Sequence, residues 1–88
     1  MEYELYVIYD AATNMYGVPM AQNNDAEAMR SFAHETMKED SIWHSHPSDF
    51  ILYKIGIYNT GDGTIQAFQS PERVCAAIDF VNSKKGTK

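Results

Sequence analysis

The residues best equipped for chemistry lie in one short run, Trp43-His44-Ser45-His46-Pro47-Ser48-Asp49. On an extended chain, side chains two apart point the same way, so His44 and His46 could both reach one zinc ion. Asp49 could complete the protein ligands, with His34 as a fourth, or leave a position open for activated water. The competing account is that Pro47 and Asp49 shape a loop, with the histidines as partly exposed polar groups. Other chemistries have less to work with. Cys75 is the only cysteine, which excludes an intramolecular disulfide and a cysteine zinc cluster. Beside Val74, Ala76 and Ala77 it reads as a small buried apolar residue. Gly61-Asp62-Gly63 opens no helix and so cannot cradle phosphate as a P-loop does.

The histidine run is similar to the zinc site of the JAMM (MPN) isopeptidases. That pattern is His-x-His-Pro, several residues, then Ser-x-x-Asp, with an upstream glutamate as general base. Here Ser48 and Asp49 follow Pro47 directly, and no Ser-x-x-Asp lies downstream. Glu35 and Glu39 precede the run, but their position alone does not make either one a base. The chain is also too short for that fold. The expectation is therefore a loop that shapes the chain, with no metal, no cofactor and no enzymatic activity.

The elements that must position these residues follow from periodicity. Residues 3–9 read as a strand with Tyr3, Leu5, Val7 and Tyr9 as its apolar face. A turn over Asp10 to Asn14 leads to a second strand, Tyr16 to Asn23, which Pro19 confines to an edge or a bulge. Asn24 caps a helix from Asp25 to about Lys38, with Glu27 at the reciprocal capping position. Ala26, Met29, Ala33 and Met37, widened by Phe32, form its apolar stripe. After the irregular stretch Glu39 to Ser48 comes a strand, Asp49 to Asn59, apolar on both faces and therefore central. Asn59 to Gly63 turns the chain into a partner strand, Thr64 to Gln69. Ser70-Pro71-Glu72 has the features of a second helix start, with Val74, Ala77, Ile78 and Val81 on one face and an end at Asn82 to Gly86. The order β-β-α-β-β-α predicts an α+β fold: a four-stranded, mostly antiparallel sheet with two helices on one face. Residues 1–83 make one domain, and 84–88 a basic C-terminal tail.

Eighty-eight residues with a formal net charge of −5 argue against coating nucleic acid through bulk charge. A domain of this size buries only about 60–65% of its unfolded surface, so any function should use a surface rather than a deep cleft. No stretch approaches the ~20 apolar residues of a membrane span, which predicts a cytosolic protein with no membrane partner. Exposed strand edges and many aromatic residues allow a homodimer formed by edge pairing or sheet packing.

Several pieces, in order along nearly the whole chain, resemble the small nonstructural protein of gokushoviruses, microviruses with single-stranded DNA genomes. They are Val7-x-Tyr9-Asp10 with Ala12 nearby, Pro19-Met20, Ala28-Met29-Arg30-x-Phe32, and Pro47-x-Asp49-Phe50-x-Leu52-Tyr53-x-Ile55-Gly56. The glycine turn before Ile65 and Pro71-Glu72-x-Val74 complete the set. The resemblance implies a DNA-binding viral protein in the host bacterial cytoplasm, acting in single-stranded DNA synthesis or genome packaging. It carries over no catalytic residue and no mapped DNA site. From the residues themselves, Arg30, Lys54, Arg73, Lys84, Lys85 and Lys88 are the candidates to meet phosphate. Tyr3, Tyr6, Tyr9, Tyr16, Tyr53, Tyr58 and Phe68 are candidate stacking platforms, at least half of them expected in the core. The expected partners are single-stranded viral DNA or viral and host replication proteins. The alternative is an interaction module whose acidic surface docks on a basic viral or host protein without touching DNA.

Overall fold

The computed structural model describes residues 1–86, with side chains described through Val81. It is α+β, built on a curled antiparallel sheet. Strand β1 spans Glu2–Asp10, β2 Met15–Tyr16, β3 Met20–Gln22, β4 Phe50–Asn59 and β5 Thr64–Ala76. Helix α1 spans Asp25–Thr36, α2 Ile42–Ser45 and α3 Ala77–Gly86, with a 3-10 turn over Pro47–Asp49. The sheet order is β2-β1-β4-β5, and β3 also pairs with β1. The strand with two apolar faces, β4, is central, as its sequence requires.

The core forms where the helices meet one side of β1, β4 and the end of β5. Tyr6, Leu52, Phe50 and Cys75 pack there against Ala28 and Phe32 of α1 and Ala77 of α3. Ile8, Trp43 and Phe80 close around them. Core residues Tyr6 and Ile8 have the opposite parity from Tyr3, Leu5, Val7 and Tyr9. Because strand side chains alternate, the face of β1 that looks apolar in the sequence points away from the helices.

Helix α1 keeps its expected cap: the Asn24 side chain accepts from the Glu27 N–H at 2.9 Å. Glu27 itself bonds the Asn23 side chain rather than closing the reciprocal box. The buried stripe is Ala28, Phe32 and Thr36, whereas Ala26 and Met37 are exposed. The expected stripe is thus rotated on the helix. A threonine can sit on the buried side because its hydroxyl donates to the Phe32 carbonyl at 2.8 Å.

Three further expectations are corrected. The second strand is two short pieces, interrupted by Gly17-Val18-Pro19. The stretch after α1 holds the one-turn helix α2, capped by Ser41 accepting from Trp43 N–H. The last helix begins at Ala77, not at Pro71, because β5 runs on to Ala76. Lys54 pairs with Glu72 and Gly56 with Ala67, so residues 68–71 lie opposite Ile55 alone. Pro71 falls inside this bulge, on an edge strand, where its missing N–H costs no ladder bond. Asp79 starts the helix by accepting from the Ala76 N–H at 2.9 Å.

Candidate nucleic-acid interface

The outward face of the sheet is assembled by register. Tyr9 pairs with Tyr16 on one side and Ile51 on the other. Val7 faces Tyr53, which faces Arg73. Further along, Tyr3 pairs with Tyr58 and Tyr58 with Ile65. Tyr53 and Tyr58 are five apart, so simple alternation would put them on opposite faces. The bulge at Ile55 shifts the register and brings both onto one side. Tyr3, Tyr9, Tyr16, Tyr53 and Tyr58 therefore share the face that, among the described residues, lies opposite the helices.

Three of these rings touch. Tyr9 and Tyr16 have centroids 4.6 Å apart and tilted by 45°. Tyr53 meets Tyr9 edge-on at 6.1 Å and Tyr16 at 5.9 Å. Such offset and edge-to-face contacts are the favoured geometries for aromatic pairs. The Tyr9 hydroxyl donates to the Asn14 side-chain carbonyl, and Asn14 is a left-handed turn residue with φ 60°. Tyr16 is 50% exposed, so the cluster presents ring surface to solvent. The acids of the paired strands, Glu2, Glu4, Asp10 and Glu72, occupy the opposite parity, on the helix side. A chain of net charge −5 can in this way present a sheet face whose paired positions carry no carboxylate.

The candidate cations do not converge. Arg73 alone, among the described residues, shares the tyrosine face, loosely paired with Asp79 at 3.8 Å. Arg30 is exposed on α1, beside Ser31, His34 and Glu35. Lys54 lies on the helix side, only 18% exposed, with its ammonium 2.7 Å from Glu4 and 2.9 Å from Asp25. The side chains of Lys84, Lys85 and Lys88 lie outside the described residues.

Lys54 belongs to a network that ties α1 to the sheet. The buried Tyr6 hydroxyl donates to Asp25 at 2.5 Å and lies 3.1 Å from Glu4. Burial, then the Asp25 and Glu4 acceptors, raise the Tyr6 phenol well above its ordinary value. The Tyr6 hydrogen bond, followed by Lys54, holds the Asp25 carboxyl below its usual range. Hydrogen bonds to Glu4 and Asp25 raise the Lys54 ammonium. Its charge is engaged internally, which leaves it poorly placed to meet phosphate.

Of the seven aromatic residues considered for stacking, only Tyr6 is fully buried. The expectation that half would be core is corrected; the helices supply Phe32, Trp43 and Phe80 instead. The shared face of the tyrosines was not legible in advance because a register shift creates it.

The histidine run is split between elements. His44 sits in α2 with Nδ1 3.1 Å from the Thr36 carbonyl. His46 ends that helix, and its Nδ1 lies 2.9 Å from the Ser45 hydroxyl. Asp49 belongs to the following 3-10 turn. Among the described residues, no group of three His, Cys, Asp or Glu side chains is placed to hold one metal ion. Cys75 is buried; burial, then the nearby Asp79, pushes its thiol up to about 11, so it stays protonated and unreactive at neutral pH.

A family model described as "Phage ORF5 protein" matches residues 3–80. No curated protein and no solved structure matches the chain. Among the described residues, no helix is long and apolar enough to cross a membrane.

Proposed function

The chain belongs to the Phage ORF5 protein family, and from that premise we propose that this phage protein holds single-stranded DNA on its tyrosine face. Its place is single-stranded DNA synthesis or genome packaging, as a gokushovirus-type nonstructural protein in the cytoplasm of the infected bacterium. It works by surface contact, as neither an enzyme nor a cofactor carrier. The observation that carries the reading is the mutual contact of Tyr9, Tyr16 and Tyr53 on the face opposite the helices, with Arg73 opposite Tyr53. Unpaired bases can stack on such rings for about 1–3 kcal/mol each, whatever their sequence. Duplex bases are already stacked and gain little there. The acids at the paired strand positions lie on the helix side, which lessens their repulsion of phosphate.

A labelled oligodeoxythymidine, titrated at low salt, tests this. Tyr16→Ala removes an exposed ring and should weaken binding by roughly 5- to 100-fold. Arg73→Ala should weaken it and flatten the salt dependence by about 0.7 in logarithmic slope. A duplex of matched length should bind less well. Absence of binding up to roughly 100 µM, the weak end of non-specific affinity, or full affinity in Tyr16→Ala, would overturn the proposal.

A further inference from the structure

The sheet edge beside β2 carries a second feature, which borders the tyrosine face at Tyr16. Between β2 and β3 the edge of β1 meets Gly17, whose N–H donates to the Ile8 carbonyl at 2.8 Å. Beside it opens a groove of about 490 Å³, lined by Ile8 and Phe50 with Met15, Tyr16, Met20 and Trp43. A smaller hollow of about 80 Å³ continues under Met20 between the sheet and α1, and shares Ile8, Met20 and Trp43 with the first. The rim is apolar and open: Val18 is 83% exposed and Met15 65%. Apolar area of this kind costs free energy in water unless something covers it.

The charges at its ends indicate what would cover it. Asp10 lines the wide end and Glu35 the narrow end, and no lysine or arginine lines either hollow among the described residues. Glu35 already meets Lys38 in an exposed pair, so Asp10 supplies most of the attraction. Methionine walls are adaptable and suit peptide side chains of varied shape. We infer that this groove binds a short peptide segment of a protein partner, with apolar side chains seated against Met20 and Trp43 and a flanking lysine or arginine at Asp10. The inference does not rest on DNA binding: Tyr16 is the one residue that the groove shares with the tyrosine face, and Asp10 and Trp43, on which the test turns, are not part of that face.

Trp43 is the only tryptophan in the chain and lines both hollows, so its emission reports occupancy directly. Two tryptophan-free peptides serve as probes: a leucine–isoleucine–leucine core flanked by lysines, and the same core flanked by glutamates. The lysine peptide should shift Trp43 emission and bind at least about tenfold more tightly at low salt. Asp10→Asn keeps the oxygen that accepts from the Ala12 N–H at 3.0 Å, and should narrow that ratio. Equal binding of the two peptides would mark an unselective apolar hollow and overturn the inference. So would no emission change with either peptide. A concentration-dependent dimer in sedimentation, abolished by Val18→Asp, would show a second copy in the groove and overturn it too.

Discussion

Gly56 lies where the backbone of β5 leaves no room for a side chain. A Cβ there would stand 2.7 Å from the Gln66 carbonyl oxygen and 3.2 Å from the Ala67 Cα, both rigid backbone. No rotamer change relieves such a clash, so Gly56→Ala must push the strands apart. The expected cost is about 1–3 kcal/mol, read as a lower urea midpoint with an unchanged slope. An unaltered midpoint would mean that the bulge next to Gly56 absorbs a methyl freely. Gly63 is glycine for a different reason, its φ of 74°, and that much follows from the turn composition. The need at Gly56 does not, because it arises from a strand that returns from sixty-odd onward in the chain. The Asn24 cap was legible in the same way as Gly63, since donor and acceptor sit within one turn.

At the scale of elements, the boundary between β5 and α3 shows local preference yielding to packing. Ser70-Pro71-Glu72 has the chemistry of a helix start, yet the chain stays extended to Ala76. Extension lets Cys75 pair opposite Leu52 in the core and delivers Ala77 to it as well. Apolar burial of that kind outweighs a propensity worth only a fraction of a kcal/mol per residue. The actual start depends on Asp79, whose carboxylate accepts from Ala76 N–H and faces Arg73. Asp79→Ala should therefore cost about 1 kcal/mol and speed hydrogen exchange in the first turn of α3. If exchange there is unchanged, the helix start is held by packing alone. The stripe of α1 was misplaced for a related reason: a hydropathy pattern ranks Thr36 below Met37, but a hydroxyl satisfied by the Phe32 carbonyl buries without penalty.

For the whole molecule, the Tyr6–Asp25–Lys54–Glu4 network joins α1 to the sheet and makes stability depend on pH. The Asp25 carboxyl lies below its ordinary 3.8 in the folded chain, so the unfolded chain binds that proton more readily. Its contribution is present above about pH 4 and disappears as the pH falls through the lowered value. The Lys54 ammonium lies above its ordinary 10.5; its contribution is present below that pH and is lost as the pH rises through the raised value. Thermal unfolding followed from acid to alkali should show a plateau bounded by the Asp25 loss in acid and, in alkali, by the losses of Lys54 and of the Tyr6 phenol, which is raised from its ordinary 10.0. Asp25→Asn should lower the plateau while leaving acid stability nearly unchanged. A variant as destabilised at about pH 2 as at neutrality would show that Asp25 acts through shape rather than charge.

Taken alone, the sequence determined the α+β class, the antiparallel hairpins, the capped first helix, the central position of Phe50–Asn59 and the burial of Cys75. Each follows from alternation, capping or turn chemistry among residues close in the chain. Only the tertiary structure decided which side of the sheet the helices cover, and with it that Tyr6 is core while Tyr16 is exposed and Tyr9 and Tyr53 are half-buried on the other side. It also took Lys54 from the candidate phosphate contacts into an internal network. These outcomes depend on register between strands some fifty residues apart, where one extra residue at Ile55 moves a side chain from one face to the other.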